Sequence, residues 1–333
     1  YSPTFLRREW EHVILAQDLA TEEEYLTCTR TGRGVPLART QRSLVWKAVA
    51  GVIERLASAR KSAFPQLANE AAELVDAPEY DHIIIDEAQD MHPTHWRLLR
   101  RLVASGPDDL FIVGDPHQRI YDSHVSLASL GINVRGRSTK LKLNYRTTQE
   151  ILSWAVPLLG LTPAQGLDDS ADTLDGYRSP MHGRRPSVVA YDDPDAELDG
   201  LVRQVREWLD DGVEPTAIGV AARTRYLLAR ATARLKEAGI KAYQVGGRSR
   251  GVRVGTMHKM KGLEFRCVAV IGVDAGTLPA PSAITREDED PKAHAQDVQK
   301  ERCLLFVACT RARDHLYVSY AGEPSEFLPV PKV

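Results

Sequence analysis

Short apolar runs, each followed directly by polar or charged residues, recur along this chain of 333 residues. The first such run, Ile83-Ile84-Ile85, ends in Asp86 and Glu87. This pattern predicts a buried strand that delivers two carboxylates to its exposed C-terminal end, which is where ligands bind in open parallel sheets. One carboxylate of such a pair can hold Mg²⁺ through water while its neighbour polarises an attacking water. A core strand followed by a solvated acidic turn explains the pattern equally well.

A second apolar run, residues 110–113, leads into a turn that carries Gln118 and Tyr121. A glutamine at the end of a strand beside a pair of acids could hydrogen-bond a terminal phosphate, and the tyrosine that follows could stack on a base. Taken singly, a glutamine in a turn is usually a surface residue and a tyrosine is usually a core residue. The turn by itself leaves both alternatives open.

The spacing of the apolar residues predicts the other elements. Helical spacing dominates residues 1–76, with the longest helix from about Thr40 to Ser58, and it returns over residues 93–104. Beyond residue 138, predicted strands alternate with predicted helices, which indicates a parallel sheet. The predicted strands are residues 140–143, 188–191, 217–221, 241–245, 267–273 and 315–320, and the predicted helices are 148–159, 193–209, 227–238 and 297–312. Residues 160–187 and 274–296 are predicted loops.

Composition narrows the class of protein. The formal net charge of −2 and the isoelectric point near 6.6 provide no global signal for binding a polyanion, so any nucleic-acid contact needs a local basic surface. The four cysteines include no Cys-x-x-Cys pair, which argues against a zinc site and a disulfide framework and indicates a reducing cytoplasm. No long apolar run or signal peptide predicts a membrane partner. The first residue is Tyr rather than Met, which is consistent with a piece of a longer protein.

One local basic surface is predicted between Gly246 and Phe265, where arginines and lysines alternate with glycines. Thr256 and His258 could donate hydrogen bonds to phosphates there, and the glycines would allow close approach of the backbone. A strand and a turn with solvated lysines is the structural alternative.

The chain lacks the glycine-rich phosphate loop that usually accompanies a pair of acids of this kind. Its nearest approach is Arg60-Lys61-Ser62, but a Gly-x-x-x-x-Gly-Lys-Ser/Thr loop requires glycine at the positions of Arg55 and Arg60. Without that loop, the β- and γ-phosphates of a nucleotide would lose their main cradle.

Five blocks, in this order over about residues 80–320, together resemble the superfamily 1A DNA helicases, the UvrD/Rep/PcrA group. Residues 86–90 resemble motif II, 114–121 motif III, 144–147 motif IV, 256–265 motif V, and Glu301-Arg302 with Thr310-Arg311-Ala312 motif VI. A single Asp-Glu pair is weak support for a family, whereas five ordered blocks are strong. Two departures, Pro116-His117 in motif III and Cys303 in motif VI, do not touch the family's main functional positions.

The resemblance implies ATP and Mg²⁺ as cofactors and a role for each matching residue. It implies metal coordination at Asp86 and Glu87, with Glu87 also the catalytic base, and contact of Gln118 with the γ-phosphate. It further implies phosphate contacts from Arg146 and Arg311, ribose contact from Glu264, stacking of Tyr121 on DNA, and contacts of Thr256 and His258 with the DNA backbone.

The resemblance also implies a fold and a domain organisation. We expect an α/β protein with two RecA-like parallel sheets of the P-loop NTPase type, the first of them incomplete, and an N-terminal helical subdomain. Residues 1–76 would be a 1B-like subdomain, 77–138 a partial domain 1A with motifs II and III, and 139–333 domain 2A. Only about ten residues separate the strand at 241–245 from motif V, so the 2B insertion of the family should be absent or vestigial.

The leading hypothesis is therefore part of an ATP-dependent 3′–5′ DNA helicase or translocase acting on single-stranded or junction DNA. A missing N-terminal segment with the Walker A loop would be its partner, and this chain alone should not hydrolyse ATP. The main alternative is a non-catalytic, helicase-derived DNA-binding or regulatory module. A two-metal nuclease using Asp86, Glu87 and Asp90 is a weaker alternative. A role in DNA repair, in recombination or in defence stays open.

Overall fold

The computed structural model describes residues 1–30, 32–120, 127–160, 164–168 and 170–329. The chain divides into two compact units. Unit 1 comprises Tyr1–Ser138, Gln165–Asp172 and Asp290–Ala293, and unit 2 comprises Thr139–Ala164, Thr173–Glu289 and His294–Val333. The predicted DNA contact Tyr121 lies outside the described residues.

Unit 1 begins with a helical part. Its helices are α1 (Pro3–Glu9), continued by a π-helical turn (Trp10–Leu15), α2 (Glu22–Thr27), α3 (Arg39–Ser58) and α4 (Phe64–Glu73). Thr21 and Glu24 form a capping box that starts α2. The shared core is apolar and includes Val13, Ile14 and Val45. The 20-residue α3 agrees with the helix predicted from Thr40 to Ser58.

The carboxylate of Glu9 is an exception inside that apolar core. It accepts hydrogen bonds from the guanidinium groups of Arg30 and Arg33 and from the hydroxyl of Tyr25. Burial alone would raise the pKa of Glu9, but these hydrogen bonds and the charges of the two arginines outweigh burial and lower the pKa. A buried carboxylate therefore joins α1 to the segment that precedes α3.

The sheet of unit 1 contains two parallel strands, β1 (Ile83–Ile85) and β2 (Leu110–Ile112). Helix α5 (Pro93–Leu102) connects them, and its fully buried Trp96 packs in the same core as Ile85. The opposite face is open, because the paired residues Ile84 and Phe111 are 78% and 64% exposed. Parallel sheets are normally covered on both faces, and the described residues leave this face of the sheet without that cover.

Unit 2 contains a six-stranded, entirely parallel sheet in the part of the chain that the structure describes. Two short strands earlier in the chain, β3 (Ala164–Gln165) and β4 (Ala171–Asp172), pair in a separate sheet; β4 belongs to unit 1, and β3 spans the boundary between the units. The sheet strands are β5 (Ser187–Tyr191), β6 (Ile218–Ala222), β7 (Ala242–Gln244), β8 (Val252–Thr256), β9 (Phe265–Ile271) and β10 (Ala312–Ala321). Their spatial order is β5-β10-β9-β6-β8-β7. The predicted α/β class with parallel sheets is confirmed.

Helices supply the cover of this sheet. Helices α7 (Pro194–Asp210) and α8 (Arg225–Glu237) share the core of the sheet, and α6 (Gln149–Ala155) contacts β10. Helix α9 (Pro291–Cys309) precedes β10. Asp193 caps α7 by accepting two backbone N–H groups. The apolar stripe of α7, including Leu201 and Val205, packs in one core with Val220 of β6 and Ala269 of β9. Every residue of β6 is buried, as expected for a central parallel strand.

Some element boundaries differ from the predictions. Residues 140–143 do not form the predicted half-exposed strand; Leu143 makes only an isolated bridge to Arg178, and Leu141 is exposed. Helix α9 begins at Pro291, inside the predicted loop 274–296. Alternation along a segment cannot create a strand without a neighbour to pair with, which explains the first difference. Among the described residues, no helix is both long and apolar enough to cross a bilayer.

Candidate functional site

The two carboxylates of motif II lie directly after β1. Asp86 is exposed, and its Oδ1 accepts the backbone N–H of Glu87 at 2.8 Å. Glu87 is half-buried and has a left-handed backbone with φ 54° and ψ 34°. This conformation is costly for a residue with a Cβ and is concentrated at functional sites. The strand therefore ends in a turn that separates the two acids into different environments.

Gln89 joins motif II to motif III within unit 1. Its side chain is buried, donates from Nε2 to Glu87 Oε2 at 2.6 Å, and accepts the backbone N–H of Asp115 at Oε1 at 2.9 Å. A Cβ on Gly114 would lie only 2.8 Å from Gln89 Oε1, so a glycine is needed for this approach. Sequence reasoning assigned no role to Gln89, although its place between acids in motif II was a signal.

The polar connection continues into motif III. Asp115 Oδ1 accepts the backbone N–H of His117 at 2.9 Å, and Asp115 Oδ2 accepts Nε2 of Gln118 at 2.8 Å. The carboxylate of Glu87 and the amide of Gln118 are thus the ends of one hydrogen-bonded chain that runs through Gln89 and Asp115. Such a chain orients both ends with respect to each other.

The donor set at the end of β1 fits a hydrated magnesium ion. Mg²⁺ prefers carboxylate oxygens, keeps several waters and typically uses one or two protein carboxylates. Asp86 offers an exposed carboxylate at a strand terminus, with Glu87 adjacent. Within the described ranges, no larger group of His, Cys, Asp and Glu side chains forms a metal cluster.

In unit 2, Arg146 and Glu264 lie side by side. Arg146 Nε is 3.3 Å from Glu264 Oε2, and the side chains are 45% and 54% exposed. Asn144 fixes the turn, because its Oδ1 accepts the backbone N–H groups of Arg146 and Thr147. The buried hydroxyl of Thr147 donates to the carbonyl of Ala312 at 2.6 Å. Motif IV is therefore anchored to β10 and carries an accessible guanidinium.

Arg311 has a different environment. Its side chain is only 2% exposed and donates from Nε to the carbonyl of Val307 at 3.0 Å. Its Nη1 lies 3.5 Å from the carbonyl of Leu263. In this conformation the guanidinium faces main-chain carbonyls of unit 2, and contact with a phosphate requires it to turn outward.

Thr256 and His258 lie at the C-terminal ends of the strands of unit 2, opposite to the ends where Glu264 and Arg311 lie. Thr256 is the last residue of β8, whereas Glu264 and Arg311 immediately precede β9 and β10. Because all strands are parallel, the two groups are separated by about one strand length, roughly 17 Å for five residues. The structure thus separates the residues predicted for DNA from those predicted for the nucleotide.

An ion pair that the sequence did not reveal lies beside His258. Arg223 directly follows β6 and forms a two-point pair with Glu301 of α9, with both N–O distances 2.8 Å. Glu301 Oε2 also accepts the backbone N–H of Ala280 at 3.0 Å. Burial and the charge of Arg223 lower the pKa of His258, although Glu301 acts in the opposite direction. His258 is thereby biased toward the neutral imidazole.

Two family models match the chain. The model described as the UvrD/REP helicase N-terminal domain matches residues 44–125, and the UvrD-like helicase C-terminal domain matches residues 234–323. Together they cover about half of the chain, and they contain the residues of motifs II, III, V and VI.

Several known proteins are similar to parts of the chain. ATP-dependent DNA helicase PcrA of Staphylococcus aureus is 36% identical over 85 residues, which are 24% of this chain and 11% of that protein. ATP-dependent DNA helicase UvrD2 of Mycobacterium tuberculosis is 23% identical over 342 residues, covering 73% of this chain and 47% of that protein. The chain thus spans less than half the length of these relatives. A solved C-terminal domain of a possible DNA helicase from Lactobacillus plantarum has a TM-score of 0.39 and 23% identity, covering 56% of this chain and 92% of that one.

Proposed function

The chain belongs to the UvrD-like helicase family, and from that premise we propose that it is part of an ATP-dependent 3′–5′ DNA helicase. The parent protein would couple ATP hydrolysis to movement on single-stranded DNA or at a junction with duplex DNA. The observation that carries this proposal is the hydrogen-bonded chain from Glu87 through Gln89 and Asp115 to Gln118. It links an acid suited to activating water with an amide suited to detecting a terminal phosphate.

In the proposed reaction, Asp86 and Glu87 would hold Mg²⁺, and the ion would neutralise charge on the phosphates of bound ATP. Glu87 accepts the proton of the attacking water, and its left-handed backbone and bond to Gln89 fix its orientation. Gln118 hydrogen-bonds the γ-phosphate, and its bond to Asp115 positions its amide.

Residues of unit 2 would also act on ATP. Arg146 and Arg311 provide positive charge that stabilises the transition state, and Glu264 binds the ribose. The exposure of Arg146 and Glu264 supports their availability. The guanidinium of Arg311 would reach a phosphate only after turning away from the carbonyl of Val307, so its charge would act only when the site is assembled for hydrolysis.

We assign the segments accordingly. Residues 1–76 are a 1B-like helical subdomain, 77–138 are part of domain 1A, and 139–333 are domain 2A with the 2B insertion absent or vestigial. Thr256 and His258 contact the DNA backbone, and Tyr121 stacks on a base. Thr256 and Glu264 lie at opposite ends of the strands of unit 2, so the sheet could transmit a change at the nucleotide to the residues that hold the DNA.

A Walker A segment of the same protein would complete the site. The exposed apolar pair Ile84 and Phe111 supports this proposal, because a parallel sheet needs cover on both faces. The chain itself contains no Gly-x-x-x-x-Gly-Lys-Ser/Thr loop. The 333-residue chain alone should therefore bind ATP poorly and not hydrolyse it.

The test is DNA-stimulated ATP hydrolysis by the 333-residue chain and by the parent protein that carries the upstream phosphate loop. We expect turnover only in the parent, abolished by Glu87→Gln and kept by Glu237→Gln, an exposed acid on α8. Turnover by the short chain would contradict the requirement for a phosphate loop. No turnover by either protein, with DNA binding retained, would favour the non-catalytic DNA-binding or regulatory module.

A further inference from the structure

The segment from Ala238 to Leu263 differs in charge from the rest of the chain. It contains six of the 43 lysine and arginine residues and none of the 45 aspartate and glutamate residues, although the whole chain has a formal net charge of −2. The six basic residues are Lys241, Arg248, Arg250, Arg253, Lys259 and Lys261. A local run of positive charge in a slightly acidic protein is the electrostatic signature of a surface for a polyanion.

The centre of this segment is the connection between β7 and β8, residues 245–251. Residues 246–250 are all exposed, and they follow β7, the edge strand of the sheet. The connection begins next to the end of β8, because the N–H of Val245 donates to the carbonyl of Val254 at 2.9 Å. A Cβ on Gly255 would lie 2.8 Å from the side chain of Val245. The start of the basic loop therefore lies beside the end of β8, close to Thr256.

The loop is accessible and its backbone is held in place. Gly246 has a φ of 85°, and a Cβ added there would meet nothing within 4 Å. Arg253 Nη1 donates to the carbonyl of Gly247 at 2.9 Å, which ties the loop to β8. At its other end, a Cβ on Gly251 would lie 2.5 Å from the carbonyl of Lys241, so only glycine fits.

The arginines of the loop differ in their partners from three arginines elsewhere in unit 2. Arg230 and Arg234 pair with Asp195, and Arg266 pairs with Asp314. Arg248 and Arg250 have no ion pair with any residue that the structure describes. Their charges are not neutralised by carboxylates within the unit, so they attract an external anion more strongly than the paired arginines do.

We propose that residues 246–251 form a phosphate-contacting loop that binds the backbone of the single-stranded DNA held by Thr256 and His258. Arg248 and Arg250 would pair with successive phosphates beyond Thr256, and the glycines would let the strand approach the backbone closely. The loop would thus lengthen the DNA track across the edge strand of unit 2. This inference rests on the proposed function, since it requires that the chain bind single-stranded DNA.

The test is the salt dependence of DNA binding by the 333-residue chain, measured by fluorescence anisotropy with labelled oligothymidylates of roughly 6 and roughly 16 nucleotides. The variant is Arg248→Gln with Arg250→Gln. We expect roughly fivefold weaker binding of the longer strand, a slope of log K against log salt that is shallower by about 1.4, and a smaller effect on the shorter strand. Thermal unfolding should be unchanged, because both residues are exposed.

The matched control is Arg203→Gln with Lys236→Gln, which removes the same charge from exposed positions of α7 and α8. An equal loss in the control would mean a general charge effect and would overturn the proposal. Wild-type affinity and slope in the loop variant, or a loss confined to duplex DNA, would also overturn it. If Thr256→Ala with His258→Ala weakens binding and the loop variant does not, the proposed function survives without the loop. Absence of any binding by the unmodified chain would refute both.

Discussion

The two parallel sheets of this protein differ in how far they are closed. In unit 2, the central strand β6 is buried along its whole length and helices cover the sheet. In unit 1, the same kind of apolar strand leaves Ile84 and Phe111 mostly exposed. Because β1 and β6 both consist of apolar residues, the difference in exposure lies in the elements that pack on each sheet. In the part of the chain that the structure describes, the sheet of unit 2 has the packing neighbours that a parallel sheet requires, and the sheet of unit 1 has one face without them.

The largest contrast should be in stability. Leu235→Ala removes a fully buried side chain from the core of unit 2 and should lower the free energy of unfolding by about 3–4 kcal/mol. Ile84→Ala removes an exposed side chain in unit 1 and should change it by less than about 0.5 kcal/mol. Urea unfolding followed by circular dichroism measures both. Equal losses would break the contrast, because they would mean that Ile84 is covered within this chain.

The next effect concerns the ion pair of unit 2. Glu301→Ala leaves the largely buried guanidinium of Arg223 without its carboxylate, and should cost about 3 kcal/mol in the same unfolding assay. Arg223→Met combined with Glu301→Leu should recover much of that loss, since neither charge is then left unpaired. An additive loss in the double variant would mean that the two residues do not act as a pair.

Buried carboxylates of the two units should respond to pH in opposite directions. The lowered pKa of Glu9 means that its stabilising contribution is present above the ordinary glutamate pKa and is lost as pH falls through the lowered value. Burial raises the pKa of Glu197, partly offset by hydrogen bonds from Ser319 and Gly272, so its contribution is present below the ordinary pKa and is lost as pH rises through the raised value.

Urea unfolding of Glu9→Gln and Glu197→Gln between about pH 4 and pH 7 checks this contrast. Glu9→Gln should destabilise unit 1 by about 2 kcal/mol near neutral pH and by less in acid. The free energy of unfolding of Glu197→Gln, relative to that of the unmodified chain, should be higher near neutral pH than in acid. The same pH trend in both variants would contradict the two assignments.

A smaller effect is expected from breaking the hydrogen-bonded chain of unit 1 at Gln89, compared with substituting an exposed glutamine. Gln89→Leu leaves the N–H of Asp115 without its acceptor, and should lower the free energy of unfolding by about 1–2 kcal/mol. In the parent protein, the same substitution should reduce the kcat of ATP hydrolysis roughly tenfold, because a leucine side chain cannot donate the hydrogen bond that orients Glu87. Gln244→Leu, at an exposed position of β7, is the control and should change neither. An unchanged kcat would remove Gln89 from the site.

Local patterns predicted most of the elements but not their long-range contacts. The run before Asp86 and the helix ending at Ser58 were both recognisable, because strand and helix periodicity are properties of short segments. Residues 140–143 were predicted wrongly, since a strand also needs a partner that no local pattern contains. The partner of Arg223 is 78 residues away, so nothing near it in the sequence indicated Glu301.

The candidate site was predictable to the extent that its motifs are contiguous. Asp86, Glu87 and Gln118 were found because they stand in recognisable blocks, and their roles stay predictions. The burial of Arg311 against main-chain carbonyls could not be read from the same kind of block. Side-chain conformation depends on tertiary neighbours, which the motif does not specify.

Coverage of the open face of β1 and β2 is the property to measure first. Ile84→Cys would be introduced into the 333-residue chain and into the proposed parent protein with an upstream phosphate loop, and the rates of reaction of the introduced thiol with a thiol reagent would be compared. We predict fast reaction in the short chain and at least roughly tenfold slower reaction in the parent, where the added segment covers the face. Equal rates would contradict the claim that the sheet of unit 1 is completed by that segment.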